Sequence, residues 1–85
     1  MRFGLVQKLD GVALDLLEKL IQAVYSSERA HMYAEVNILI EKIRIFLRLS
    51  HDRNLLSIDQ LRYAVGELDE VGRMWHGWAG PGKQR

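Results

Sequence analysis

The stretch MYAEVNILIEKIRIFLRLSH, residues 32–51, decides how this chain folds. Met32, Val36, Leu39, Ile43, Phe46 and Leu47 recur at spacings of three and four, which places them on one face of an α-helix. Ile38, Ile45 and Leu49, at spacings of seven and four, form a second apolar stripe on the other side of the same helix. Asn37, Glu41, Arg44, Arg48 and His51 run between the two. A bundle core explains the first face. A lone surface helix has no use for the second, because each exposed Ile or Leu forgoes about 1.5–3 kcal/mol of burial. The stripe of Ile38, Ile45 and Leu49 therefore reads as an oligomer interface.

Helical periodicity continues on both sides. Upstream, Leu5, Leu9, Val12, Leu16, Leu20 and Ala23 follow one face, widened by Leu14, Leu17, Ile21 and Val24. Gln7, Lys8, Asp15, Glu18, Lys19 and Gln22 take the wet side. Gly11 costs about 1 kcal/mol relative to alanine inside a helix unless close packing offsets it. Ser26-Ser27 closes this helix and offers an N-cap to the next, with Glu28 suited to the positive helix end.

Downstream, Ser57 and Gln60 have the spacing of a capping box, with Leu56 and Leu61 placed as a hydrophobic staple. Leu61, Ala64, Leu68, Val71, Trp75 and Ala79 then form a core face, with Ile58, Val65 and Gly72 beside it. Asp69 and Arg73 are spaced for a surface ion pair. The only proline is Pro81, and no segment alternates with period two. The expectation is an all-α, up-down bundle of three helices at about 3–26, 30–51 and 58–79. Residues 1–79 form the bundle domain and 80–85 a flexible tail.

Composition narrows the function. Eighty-five residues form one domain, and a chain this short buries only about 60% of its unfolded surface. With no cysteine, disulfides and zinc fingers are excluded, and self-association becomes the expected support. The N-terminal segment carries Lys8, Asp10, Asp15 and Glu18, so it reads as neither signal peptide nor membrane span. The expected location is the cytoplasm. Net charge is +1 but unevenly spread. Residues 1–41 hold four basic and six acidic side chains, a net of −2, and residues 42–85 hold eight and five, a net of +3. That asymmetry is compatible with nucleic acid.

Catalytic and metal chemistries find little footing. His31, His51 and His76 have no ligand spacing among themselves, and a helix C-terminus explains His51. No metal and no other cofactor is expected. The serines lie at helix ends, no glycine-rich loop exposes a nucleophile or cradles a phosphate, and the carboxylates fall on polar helical faces. The chain is not expected to be an enzyme. Helical chorismate mutases are the enzyme class of similar size, but the first helix lacks their arginine-rich pattern.

Arg44 and Arg48 are one turn apart, with Lys42 and Arg53 nearby, and guanidinium groups grip phosphates bidentately.

Several segments together resemble the accessory variability determinant family of diversity-generating retroelements. They are Ala13 to Ile21 followed by Ala23-Val24-Tyr25-Ser26, Glu41 to Leu49, Leu55-Leu56-Ser57, and the closing run Leu68 to Trp78. The most distinctive is the last, in which Val71-Gly72-Arg73 follows Asp69-Glu70 and Gly77-Trp78 ends the helix. The resemblance covers the chain from Arg2-Phe3 to Trp78. Its wider superfamily includes four-helix proteins encoded in ribosomal RNA intervening sequences.

The resemblance implies a four-helix bundle that assembles into a five-fold ring. Such a ring binds RNA and DNA with little sequence preference, and binds a reverse transcriptase during mutagenic copying. Under it, Arg44, Arg48 and Arg73 carry nucleic-acid binding. Lys42 and Arg53 stand beside them, and Lys83 and Arg85 add long-range attraction. The family has a further helix ahead of the Arg2-Phe3 segment. The expectation here is thus three helices whose open face is completed by oligomerisation. A bundle of the intervening-sequence type, without a polymerase partner, is the alternative.

Overall fold

A computed structural model describes residues 2–81. Helix α1 spans Arg2–Val24, a 3₁₀ turn spans Arg29–Met32, α2 spans Tyr33–Asp52 and α3 spans Ile58–Ala79. No strand occurs among the described residues. The fold is all-α, as the periodicity indicates, with three helices running up, down and up. Met1, Gly82, Gln84 and the tail cations Lys83 and Arg85 lie outside the described residues.

The core is built from the periodic faces. Val12, Leu16 and Ala23 of α1, Val36, Leu39, Ile43 and Leu47 of α2, and Leu68, Trp75 and Ala79 of α3 are buried together. Ile40, which falls outside the face read from sequence, joins them. Helices α1 and α3 each lie extensively against α2 and much less against one another. The result is elongated and thin, 45 × 21 × 15 Å.

This open arrangement leaves much of the wide apolar arc of α1 uncovered, in keeping with a bundle that has an open face. Leu14, Leu17, Ile21 and Val24 do not deepen the core; each is exposed, and Leu17 keeps 54% of its surface. Ile58 is likewise exposed. The cause is the packing of α2 on one side of α1 only, which leaves the rest of a wide apolar arc uncovered.

The helix ends are set by local chemistry. The capping box forms as its spacing predicts: the Gln60 N–H donates to Ser57 Oγ at 3.1 Å, and the Ser57 N–H donates to Gln60 Oε1 at 2.9 Å. Loss of such a cap costs about 1 kcal/mol. Leu56 and Leu61 are half-buried against the core, where the staple places them.

Between α2 and α3 the chain reverses through Asn54, at φ 64°. The Leu55 N–H donates to the Ser50 carbonyl at 2.8 Å and the Asn54 N–H to the His51 carbonyl at 2.9 Å. This is a Schellman closure with asparagine at the left-handed position.

The start of α2 departs from expectation. Ser26 Oγ accepts from the Glu28 N–H at 2.9 Å, so it caps the tight turn rather than the helix. The 3₁₀ turn intervenes, and α2 begins at Tyr33 with no side-chain cap. Tertiary contacts fix its start instead. The Trp75 indole N–H donates to the Tyr33 carbonyl at 3.3 Å, and the two rings stack at 6.2 Å.

Candidate nucleic-acid interface

The basic residues singled out by sequence occupy three different environments. Arg44 turns from α2 toward α3, where its guanidinium bonds the Asp69 carboxylate and reaches Glu41 Oε1 at 3.4 Å. Its side chain is only 22% exposed. The hydrogen bond to Asp69 raises its pKa above the ordinary guanidinium range, against the opposing effect of desolvation. Arg44 is therefore a permanently charged clasp between two helices.

Asp69 thus pairs with Arg44 across helices and not with Arg73, as the four-residue spacing suggested. Arg73 is tied to Glu70 on the outer surface of α3. That exposed pair contributes little to stability, so the cation is readily exchanged for another partner.

Arg48, Lys42 and Arg53 are exposed, and their side chains have no hydrogen-bond or ion-pair partner among the described residues. Arg48 follows Ile45 by three and Lys42 precedes it by three, so the two flank the outer stripe of α2. Arg53 is the C-cap of α2, where positive charge complements the helix end. Ile38 and Ile45 remain 58% and 51% exposed, and Leu49 is half-buried. The structure thus separates Arg44 from Arg48. One closes the protomer and the other faces out.

Lys8 was not singled out by sequence, yet it lines a cleft between α1 and α2 together with Lys42. Gly4 and Gly11 form part of that wall, and a Cβ at either would meet nothing within 4 Å. The signal was present as the series Gly4, Lys8, Gly11 and Asp15 at helical spacing. Gly11 is not held by close packing within the chain.

The conspicuous aromatic ending of the sequence turns out to be structural. Trp75 is buried and meets Trp78 edge-on at 5.6 Å. Arg29, which drew no notice in the sequence, places its guanidinium 4.2 Å from the centre of the Trp78 ring. Tyr33 Oη hydrogen-bonds His76 Nδ1 at 2.5 Å. His51 Nδ1 lies 3.0 Å from the Leu56 carbonyl, which can only accept, so that nitrogen carries the proton.

This assembly of cap, aromatic closure and basic helix runs through nearly all of the sequence that one family model covers. A model described as bAvd-like matches residues 1–80. The chain belongs to the bAvd-like family. No curated protein and no solved structure matches it.

Membership makes this bAvd-like chain an accessory protein of the accessory variability determinant type, a non-catalytic kind. Among the described residues no group of three or more His, Asp or Glu side chains comes together as metal ligands would, and no helix is long and apolar enough to cross a membrane. In the bAvd-like chain the closing Gly77-Trp78 motif braces the bundle end through Trp75 and Arg29. The outward cations stand on α2.

Proposed function

We propose that this protein is a cytoplasmic nucleic-acid-binding adaptor that works with a reverse transcriptase in the mutagenic copying of a diversity-generating retroelement. The observation that carries the reading is the outer face of α2, where Lys42 and Arg48, with Arg53 at its end, stand unpaired. Side chains of this type engage phosphate oxygens without reading bases, so RNA and DNA of any sequence are accepted about equally. Arg73 contributes by exchanging Glu70 for phosphate, and Arg44 contributes least while Asp69 holds it. One protomer offers few contacts. An assembly, a five-membered ring in the family's manner, repeats them and gains affinity through the release of counterions.

Fluorescence anisotropy with single-stranded RNA and DNA across a salt series tests the phosphate contacts. The parent protein binds both, with affinity falling steeply as salt rises. Arg48→Ala combined with Arg53→Ala weakens binding to all sequences alike and flattens the salt dependence. Unchanged binding would reduce these residues to ordinary surface charge. Affinity capture of the tagged protein from its own cells tests the polymerase. Recovery of a reverse transcriptase supports the adaptor role. Its absence, together with a gene lying inside a ribosomal RNA operon, would favour the intervening-sequence alternative.

A further inference from the structure

Two contacts fix how α3 is set against α2. Tyr33 Oη meets His76 Nδ1 near one end of the pair, and Arg44 meets Asp69 further along. The two helices run in opposite directions. From the first contact, Arg48 is fifteen residues on along α2 and Arg62 is fourteen residues back along α3. At about 1.5 Å per residue the two arginines therefore reach the same level. They also share a side. Arg48 follows Arg44 by one turn and Arg62 precedes Asp69 by two, so both border the seam that the Arg44–Asp69 bond closes. Val71, Met74 and Trp78, which line the groove toward α1, lie on the far side of α3.

The two levels are furnished differently. Where Arg44 stands, α3 supplies a carboxylate from across the seam, and Glu41 adds a second. One turn further, Arg48 is given none: the residue four before Asp69 is Val65, half-buried against the core, and Gly66 follows it. What α3 presents at that level is Arg62. Its side chain, like that of Arg48, is exposed and has no partner among the described residues. The other charged groups nearby do not intervene. Asp52 and Asp59, the acids nearest in sequence, bond neither arginine, and Asp59 lies in the first turn of α3, where the positive helix end suits it. Glu70 is held by Arg73, and His51 turns to the Leu56 carbonyl. Arg53, at the end of α2, adds a third unpaired guanidinium.

Two guanidinium groups at one level repel each other, and an anion between them removes the repulsion. We infer that this anion is a phosphodiester of a bound nucleic-acid strand, gripped between Arg48 of α2 and Arg62 of α3. The inference rests on the reading above that the chain binds nucleic acid, and it moves the contact from α2 alone to the α2–α3 seam. Guanidinium suits the task. It stays charged, and its fork offers parallel N–H donors to phosphate oxygens. Neither grip touches a base, so the clamp accepts RNA and DNA alike. From Arg62 the seam runs past Arg44 to Arg73, eleven residues or about 16 Å along α3. A strand that follows it meets Arg73 next, once Glu70 lets go.

A double-mutant cycle carried through the salt series tests this. Arg48→Gln and Arg62→Gln each remove one grip from an exposed position, so circular dichroism should show parental helicity. Each should weaken binding of single-stranded RNA severalfold and lower the salt slope by up to about 1. Because both side chains close on one phosphodiester, the combined variant should lose less than the product of the separate losses. Should Arg62→Gln fail to fold, Arg62→Lys replaces it in the cycle. It keeps the charge and loses the fork, so a smaller loss of the same sign is expected. Parental binding by either single variant, or losses that simply multiply, overturns the clamp while the parent's own binding of nucleic acid still stands. A parent that binds neither RNA nor DNA overturns both.

Discussion

The guanidinium of Arg44 on α2 is bonded to the carboxylate of Asp69 on α3, 25 residues further along the chain. The same arginine is thereby withheld from phosphate. Asp69→Asn should release it at a stability cost of roughly 0.2–1 kcal/mol, since both partners keep contact with solvent. With Arg44 freed and one negative charge gone, affinity for single-stranded RNA at low salt should rise severalfold. Anisotropy titrations compare the variant with the parent. If affinity is unmoved in Asp69→Asn and also in Arg44→Ala, the arginine has a structural duty alone. The pair introduces no pH dependence through Arg44. A raised guanidinium pKa stabilises the fold at all lower pH, and the loss begins only in strong alkali.

Trp75→Ala should remove about 3–5 kcal/mol. The indole is 2% exposed, stacks on Tyr33, meets Trp78 edge-on and donates to the Tyr33 carbonyl, so its loss leaves a cavity and removes a hydrogen bond between α2 and α3 at once. A domain of this size holds only about 5–15 kcal/mol in total. Urea denaturation followed by circular dichroism should show a midpoint shifted far down, or no folded baseline. A shift worth less than about 1 kcal/mol would mean that the bundle end does not depend on the indole.

Two glycines should respond to alanine with opposite sign. Gly11 lies in the interior of α1 with open space around its would-be Cβ, so Gly11→Ala should stabilise by up to about 1 kcal/mol. Gly80 closes α3, and its N–H donates to the His76 carbonyl at 2.8 Å. A Cβ there would stand 2.5 Å from that carbonyl and 2.7 Å from His76 Nδ1. Gly80→Ala should therefore push His76 away from Tyr33 and lower the melting temperature. Thermal scans of the two variants beside the parent check both signs.

What the sequence disclosed followed from local rules. Ser57 and Gln60 lie within one turn, so their reciprocal bonds depend on nothing distant. The buried faces around Val36 and Leu68 follow from helical period alone. The partner of Asp69 was not legible in this way. Arg73 has the right spacing, but Arg44 wins because of how α2 crosses α3, which no spacing within α3 records. The outer arc of α1 was legible as a wide apolar face, although periodicity measures how wide such a face is and not how many neighbours cover it. Lys8 and Arg29 were overlooked because each acquires its setting from residues of another element, Lys42 in one case and Trp78 in the other. Asn54 left a fainter sign, as asparagine is the residue other than glycine that most readily adopts a positive φ. As for the site, the cations of α2 were visible as residue types, while the split between a tethered Arg44 and a free Arg48 required the fold.

Because α1 and α3 both lean on the helix between them in the chain, the two extensive helix–helix contacts join helices that are consecutive in sequence. Such a topology closes only short loops on its way to the native state, and helical chains of low contact order fold in microseconds to milliseconds. Docking of subunits runs from milliseconds to minutes and depends on concentration. In the proposed assembly each chain is consequently finished long before it meets a neighbour. For that interval its two apolar flanks face water, and the cellular concentration of the chain sets how long the exposure lasts.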